Sequence, residues 1–365
     1  MRESVRSQRA IHMSDPLLEF KTMPHAPGHD AWGFKNHVVP ERADIVAIGD
    51  SQTWGLNADI AGTWPKQLAD ISGCKVYNMG EDGYGPVQYL LLFDQARKLS
   101  PKIVVIGLYF GNDFYDAYYM TYAKNAHAGL RAKDHPEEWL QDTIAPAVES
   151  IHQEREGFRK IPLGHVSSAS DLGGWFCRHT EVGRLLLRKH LFLEETDLDV
   201  KAEARWANGF PLHGYFCKRE KIDTVLTTAY RLLAENKDEP RISEGIRVTK
   251  QVMLQINKKA SESGIKLLVA VIPTKEMVYA DLMKADVESN ETYGKLVRME
   301  NEIRGELVEF ASGNGIHVCD TLPELRVALG QDTRIYPRDH DGHPVKEGYK
   351  AISLGIKKAL DKLPR

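Results

Sequence analysis

Short, uninterrupted apolar segments recur along this chain, and five of them have the pattern of buried strands. Each is rich in valine and isoleucine, does not alternate with polar residues, and is four to nine residues long. Such runs are typical of parallel strands that helices cover on both faces. The predicted strands are "DIVAIG" (44–49), "KVYNMG" (75–80), "KIVVIGLYF" (102–110), "IKLLVAVIP" (265–273) and "GIHVCD" (315–320).

Segments with helical periodicity separate several of these strands. In "GPVQYLLLFDQARKL", Pro86 directly follows Gly85, which is the placement expected at the first turn of a helix. A second segment, "RISEGIRVTKQVMLQINKKASESG", ends at Gly264 and predicts a helix with one apolar face. That face comprises Ile242, Ile246, Met253, Ile256 and Ala260. Strand and helix in alternation predict right-handed crossovers and an open α/β sheet.

The predicted fold class is α/β, a three-layer α/β/α sandwich with about five parallel strands and a large, mostly helical insertion after the third strand. The third and fourth strands lie about 150 residues apart, far more than an ordinary connection. We expect an N-terminal extension over 1–40, a core over 41–113 and 241–365, and an insertion over 114–240. At this edge of a sheet the insertion can be a lid, an acceptor-binding subdomain, a structural flap or an oligomer contact.

Composition narrows the classes of function. The chain has 365 residues, of which 42% are hydrophobic and 27% charged, as in an ordinary globular protein. A net charge of −3 provides no basic field for phosphates, so nucleic acid is not an expected partner. The four cysteines lack CxxC spacing, which argues against a zinc or thioredoxin-like site. No GxGxxG or Walker loop follows a strand, so we expect no organic cofactor.

The start of the chain lacks the apolar segment that directs secretion. Its first residues, "MRESVRSQRAIHM", contain three arginines but no hydrophobic region, a composition that suits a disordered tail or, less well, a transit segment. The longest apolar runs are also too short to cross a bilayer. We therefore expect no membrane span and, by default, a cytoplasmic location, while export stays open because a removed leader would leave the same sequence.

Polar residues suited to catalysis follow three of the predicted strands. "GDSQTWG" follows the first, "NMGEDGYG" the second and "GND" the third, and "DHDGHPVKEGY" comes late in the chain. The carboxyl ends of parallel strands meet at one edge of a sheet, where sites form. Ser51 is a candidate nucleophile there, although a serine in this place can simply cap a helix. The α/β-hydrolase elbow G-x-S-x-G is absent, because Thr53 stands two residues after Ser51.

Together these motifs resemble those of the SGNH (GDSL) hydrolase family, over about half of the chain. The resemblance implies a flavodoxin-like sheet and an acyl-enzyme on a serine. Position by position, it implies that Ser51 is the nucleophile, Gly83 and Asn112 are oxyanion donors, and His343 is the base. The first amides of a helix lack intrahelical partners. We therefore expect the Ser51 N–H to join the Gly83 N–H and the Asn112 amide in one oxyanion hole.

The residue that orients the base departs from the family. Most members carry aspartate three residues before the histidine, but His340 occupies that position here. Asp341 lies two residues before His343 and Asp339 four before. In extended backbone, residues i and i+2 face the same side, which favours Asp341, whereas Asp339 would need a helical turn. This D-x-H spacing, and more loosely "VIPTKEMVY" (271–279), resembles the alginate O-acetyltransferase-like branch of the superfamily.

Several alternatives stay open at this point. The neighbours Asp339, His340, Asp341 and His343 offer metal-ligating atoms, but four positions in one loop rarely close a coordination sphere, so we predict no metal. Lys275 and Glu276 are expected to form a solvated pair at a strand end.

The resemblance implies an esterase acting on acyl groups, with short-chain and carbohydrate O-acetyl esters as the favoured substrates. The expected partner is therefore a small-molecule or carbohydrate ester. Transfer of the acyl group to a glycan hydroxyl and a catalytically inactive binding protein of the same fold are the alternatives. Nothing in the sequence indicates the oligomeric state.

Overall fold

The structure is a computed structural model that describes residues 11–140, 215–219, 222–331 and 333–363. Nine strands lie within these ranges, in one parallel sheet and two antiparallel hairpins. In chain order they are β1 (His12–Asp15), β2 (Glu19–Thr22), β3 (Ile45–Gly49), β4 (Val76–Gly80), β5 (Ile103–Tyr109), β6 (Tyr215–Arg219), β7 (Ile222–Leu226), β8 (Lys266–Ile272) and β9 (His317–Asp320).

The parallel sheet contains all five predicted strands, each within two residues of its predicted bounds. Its strand order is β4–β3–β5–β8–β9, the flavodoxin-like order, and every neighbouring pair is parallel. The chain moves from β3 outward to β4 and then returns across β3 to β5. A crevice forms at such a reversal, outside the carboxyl ends of the strands. The loops after β3 and β5 therefore meet there.

Helices cover both faces of the sheet, as the alternating pattern predicts. One apolar core packs β-strands against the helices Pro86–Ala96, Asp113–Tyr122 and Pro240–Glu262, and the other packs them against Trp64–Ser72, Leu322–Gly330 and Lys346–Leu360. The helices in the described residues are α1 (Ser51–Trp54), α2 (Trp64–Ser72), α3 (Pro86–Ala96), α4 (Asp113–Tyr122), α5 (Thr228–Glu235), α6 (Pro240–Glu262), α7 (Lys275–Tyr279), α8 (Lys284–Ser289), α9 (Glu291–Gly313), α10 (Leu322–Gly330) and α11 (Lys346–Leu360). Short 3₁₀ turns lie at Ile60–Gly62, Arg97–Leu99, Ala128–Leu130 and Glu137–Leu140.

Helix α6 shows how the apolar pattern determines packing. All five residues of its predicted face are at most 5% exposed. Pro240 occupies the first turn, and Gly264 follows the end of the helix with a φ of +68°, in the left-handed region that favours glycine. Helix α4 approaches α6 so closely that a Cβ on Gly245 would overlap the carbonyl of Phe114. The contact holds the segment after β5 against the sheet.

The predicted insertion lies partly outside the described residues. Residues 141–214, on which the prediction of a mostly helical insertion depends, are among those not described. Its described parts are α4, the antiparallel hairpin of β6 and β7, and α5. The boundaries of the extension, core and insertion stay a prediction. Among the described helices, none is both long and apolar enough to cross a membrane.

A row of three glycines supports the helix that carries Ser51. Gly80, Gly49 and Gly107 are direct neighbours in the register of β4, β3 and β5. Thr53, in α1, packs on this row, and a Cβ added to any of the three glycines would overlap an atom of Thr53 or of its neighbour. Because the row carries no side chains, α1 lies directly on the sheet edge. The position of Ser51 is fixed by this contact.

We expect Gly107→Ala to lower the free energy of unfolding by about 1–3 kcal/mol, because the new Cβ would overlap the hydroxyl oxygen of Thr53. Thr53→Ala should relieve most of this loss in the double variant, since the next nearest atoms lie 3.5 and 3.6 Å from the added Cβ. Gly49→Ala is the control. Thr53→Ala should not relieve the stability loss of Gly49→Ala, because Thr53 Cβ and Gly107 O, at 2.8 and 2.9 Å from the added Cβ, would still overlap it. Urea unfolding of the double-mutant cycle measures the coupling, and additive losses at Gly107 would contradict it.

Candidate active site

Ser51 is the first residue of α1, and Asp50 before it is the helix cap. The Asp50 carboxylate accepts the Gln52 N–H at 3.0 Å, and the backbone at Asp50 is extended, as an N-cap requires. The alternative that Ser51 serves only to cap this helix is therefore wrong. Its hydroxyl is directed elsewhere: Ser51 Oγ lies 2.7 Å from Nε2 of His343, which is 292 residues away in the chain.

The structure brings Ser51, His343 and Asp341 into one continuous hydrogen-bonded series. On the far side of the imidazole, His343 Nδ1 lies 2.5 Å from Asp341 Oδ1, which also accepts the His343 backbone N–H at 2.9 Å. The Nδ1–H donates to the carboxylate, so Nε2 is free to accept the Ser51 hydroxyl proton. Asp339 does not take this place; its Oδ1 accepts the Asp341 N–H at 2.9 Å.

Electrostatics at this site make the His343 imidazole easier to protonate than a free histidine. Burial disfavours the imidazolium, but the Asp341 carboxylate and its hydrogen bond, helped by Asp82 and Asp50, outweigh burial and raise the pKa of His343 above 6.5. Burial alone would raise the pKa of Asp341. Interaction with His343 reverses this and holds that pKa well below its usual range. Asp341 therefore stays ionised and stabilises positive charge on the ring.

The raised pKa of His343 predicts where kcat/KM falls on the acid side of its pH profile. A base must be neutral to accept a proton, so we expect kcat/KM to fall as the pH drops through a pKa above 6.5. Asp82→Asn removes a charge that raises the pKa of His343, and should move the limb to lower pH by roughly half a unit. Asp70→Asn, at an exposed α2 position, is the matched control. A wild-type limb at or below 6.5 would contradict this prediction.

Asn57 is a site residue that sequence reasoning missed. Its Nδ2 donates to Asp341 Oδ2 at 3.2 Å and to the His343 carbonyl at 2.9 Å, so one amide holds both partners of the dyad. The loop that carries Asn57 is held in turn by Lys35, whose buried ammonium donates to the carbonyls of Gly55 and Ala58 at 2.8 and 2.7 Å. An asparagine after a short helix has no sequence signal that distinguishes it from a turn residue.

The two residues expected to complete an oxyanion hole lie on loops at the same edge. Gly83 is exposed and has a φ of +82°, in the region that favours glycine, and the Phe20 ring lies against it. Its neighbour Asp82 is close enough to His343 to raise the pKa of that residue. Asn112 makes no side-chain cap for α4; its amide donates to Asp116 Oδ2 at 2.5 Å. Their role as oxyanion donors stays a prediction.

Three acids next to the site are buried or partly buried, and sequence reasoning did not identify them as a group. Burial raises the pKa of Asp50 to about 7 and that of Asp116 to about 8, and raises the pKa of Asp113 well above its usual range. Asp113 accepts the Tyr109 N–H and the Tyr89 hydroxyl, both at 2.9 Å, instead of capping α4. These three carboxyl groups therefore hold their protons to higher pH than surface carboxylates do.

The expectation that Lys275 and Glu276 form a solvated pair is wrong. They begin α7, which is separated from β8 by Pro273 and Thr274, and are 0% and 1% exposed. The α7 turn lies beneath the loop that carries Asp341 and His343, so both side chains point into protein. Lys275 Nζ donates to loop carbonyls, and Glu276 accepts the Thr227 N–H at 2.8 Å. Charged residues inside the otherwise apolar "VIPTKEMVY" were the available signal of burial.

Within the described residues, no group of three or more histidine, cysteine, aspartate or glutamate side chains is arranged to hold a metal ion. Three of the four neighbours considered for such a site make other contacts, since Asp341 binds His343 and Asp339 accepts the Asp341 N–H.

Comparison with known proteins gives structural likeness only. No protein-family model matches the chain, and no curated protein sequence matches it either. A lipolytic protein of the G-D-S-L family from Desulfitobacterium hafniense DCB-2 is 14% identical, over 86% of this chain and 98% of that chain, with a TM-score of 0.39. A GDSL-like lipase from Bacteroides thetaiotaomicron VPI-5482 is 14% identical over 88% of each chain, with a TM-score of 0.35. A lipolytic G-D-S-L family member from Veillonella parvula DSM 2008 is 11% identical over 87% and 98%, with a TM-score of 0.38. Likeness this weak says nothing about the chemistry of this chain.

Proposed function

We propose that this chain is a serine esterase of the SGNH type that cleaves short-chain acyl esters through an acyl-enzyme on Ser51. The observation that carries the proposal is the series of hydrogen bonds from Ser51 Oγ to His343 and from His343 to Asp341, at 2.7 and 2.5 Å. A hydroxyl on a fixed helix, a base at hydrogen-bond distance and a carboxylate behind that base are the parts that serine acyl chemistry needs.

In the proposed reaction, Ser51 Oγ forms a bond to the ester carbonyl carbon while its proton passes to His343 Nε2. Asp341 holds the Nδ1–H and stabilises the imidazolium. The imidazolium then gives the proton to the leaving alcohol oxygen as the carbon–oxygen bond breaks, which leaves the acyl group on Ser51. Water repeats the sequence with the same base, releases the carboxylic acid and restores the serine hydroxyl.

For the tetrahedral oxyanion we propose three donors: the N–H groups of Ser51 and Gly83 and the side-chain amide of Asn112. The contact between Asn112 and Asp116 supports this assignment, because it occupies one amide hydrogen and leaves the other for the substrate. Each such donor contributes roughly 3–4 kcal/mol of transition-state stabilisation in comparable sites.

The Phe20 ring supports a preference for short acyl groups, because it lies against Gly83 and limits the space beside the proposed oxyanion hole. We expect kcat/KM for p-nitrophenyl acetate to exceed that for the octanoate by about tenfold or more. Phe20→Ala should narrow the difference by raising turnover of the octanoate. If no ester in an acetate-to-octanoate series is cleaved above the rate of Ser51→Ala, the binding-protein alternative replaces the esterase.

The second candidate is transfer of the acyl group to a glycan hydroxyl. It is favoured by the D-x-H arrangement, in which Asp341 contacts His343 from two residues away, the spacing that resembles the alginate O-acetyltransferase-like branch. In this case residues 114–240 would form the acceptor site or a lid over it. Transfer predicts acetylated oligosaccharide by mass spectrometry when p-nitrophenyl acetate and an oligosaccharide are supplied together. Free acetate as the sole product assigns hydrolysis.

A further inference from the structure

Lys275 places a fully buried ammonium directly beneath the loop that carries Asp341 and His343. Its Nζ lies 2.7 Å from the Asp339 carbonyl and 3.2 Å from the carbonyls of both Pro337 and Asp341. An ammonium has three donors and no acceptor. Three hydrogens therefore meet three carbonyls, which come from alternate residues of one short segment.

The same segment is anchored on its other side as well. The Arg338 carbonyl, which lies between two of the Lys275 acceptors, accepts the Val225 N–H of β7 at 2.9 Å. The carbonyls of Pro337 and Asp339 thus contact Lys275, and the Arg338 carbonyl between them pairs with β7. The Pro337 carbonyl also accepts the Thr224 hydroxyl of β7 at 3.0 Å. The loop from 337 to 341 lacks helix or strand structure, so these contacts take the place of a regular backbone ladder in fixing its path.

The path of this segment determines where the dyad lies. The Asp341 carbonyl is bound by Lys275, and the Asp341 N–H is bound by Asp339. With its main chain held at both its N–H and its carbonyl, Asp341 is fixed at the position from which its carboxylate contacts His343. Beyond it, the Arg231 guanidinium packs closely against Gly342, where an added Cβ would overlap Arg231 Nη2.

We propose that Lys275 is a positioning residue for the base: its ammonium shapes the 337–341 segment so that Asp341 and His343 meet Ser51. The proposal rests on the esterase function proposed above. Lys275 touches neither Ser51 nor any reacting atom in that reaction. Its effect is transmitted through main-chain carbonyls, so a side chain of similar length without donors should fill the space but lose the effect.

Lys275→Met makes this replacement, and Leu307→Ala is the control. Leu307 is buried in α9 on the core formed with α3, α4 and α6, so its truncation lowers stability without contact to the loop. Both variants are assayed with p-nitrophenyl acetate at a temperature where melting curves show them folded. We expect kcat of Lys275→Met to fall about 10–100-fold with KM changed less than about twofold, since misplacing a catalytic group by 1 Å has effects of this size.

A second measurement is independent of esterase activity. A proton held between an imidazole and a carboxylate gives a far-downfield proton NMR signal, which His343→Ala assigns by its loss. We expect this signal to disappear in Lys275→Met and to remain in Leu307→Ala. An inactive wild type that shows the signal and loses it in Lys275→Met would refute the esterase but not the positioning role.

Retention of either kcat or the NMR signal in Lys275→Met overturns the proposal. Equal losses in Leu307→Ala also overturn it, because they would show an effect of stability alone. If Lys275→Met does not fold, Lys275→Gln provides the same comparison, since its amide has two donors in place of three. For that variant, a kcat within twofold of the wild type or a retained signal overturns the proposal.

Discussion

Replacing Ser51 with alanine is expected to lower kcat for p-nitrophenyl acetate by at least about 10³-fold. The substitution removes the oxygen that would form the acyl bond, and in the described part of the chain no other serine hydroxyl lies beside His343 Nε2. The oxyanion donors would remain, so a small rate above that of water is expected. The comparison uses initial rates, measured under conditions where any contaminating esterase contributes negligibly to the rate.

The loss should not come from unfolding. Asp50, not Ser51, caps α1, and the glycine row beneath Thr53 stays unchanged. We therefore expect the melting temperature of Ser51→Ala to stay close to that of the wild type. The control Ser353→Ala, at a buried serine of α11, should retain full activity. Retention of more than a tenth of wild-type activity in a folded Ser51→Ala would remove the proposed acyl-enzyme.

The second large effect distinguishes two aspartates of one loop. Asp341→Asn should reduce kcat by about 10⁴-fold, because an amide opposite Nδ1 favours the wrong tautomer of the imidazole. Asp339→Asn should cost less than about tenfold, since its remaining amide oxygen can still accept the Asp341 N–H. The two changes are chemically identical and lie two residues apart, and only one of them alters the carboxylate that contacts the His343 ring.

Rates of these two variants, measured from pH 5 to 10, check this assignment. In Asp341→Asn the acid limb should also move to lower pH, because the carboxylate that raises the pKa of His343 is gone. Asp339→Asn should keep the wild-type limb. The reverse order of rates would assign the orienting role to Asp339 and contradict the observed contact at 2.5 Å.

The sheet and one major helix could be predicted because their signal is local. Short apolar segments between helical stretches place the five strands, and the spacing of apolar residues in α6 identifies its buried face. Both depend on residues that are near each other in the chain. The pairing of Ser51 with His343 spans 292 residues, and only the resemblance of the motifs to a known family suggested it.

The residues that sequence reasoning missed owe their positions to hydrogen-bond partners that are far away in the sequence. The Lys275 ammonium can be buried because three carbonyls more than 60 residues away accept its hydrogens. No local sequence pattern identifies those three acceptors. Asn57 is comparable, because its partners Asp341 and His343 reach it only after the sheet has formed. A lysine or an asparagine in isolation predicts exposure, and the apolar neighbours of Lys275 indicate burial without indicating which groups receive its hydrogens.

Covalent labelling with a p-nitrophenyl phosphonate ester, followed by peptide mass spectrometry, tests the central claim most directly. The reagent reacts with a serine only where a base activates the hydroxyl, and its adduct identifies the nucleophile. We predict a single adduct on Ser51 with release of p-nitrophenol, and labelling slowed by at least about 10³-fold in His343→Ala. An unmodified Ser51, or equal labelling in His343→Ala, would contradict the account.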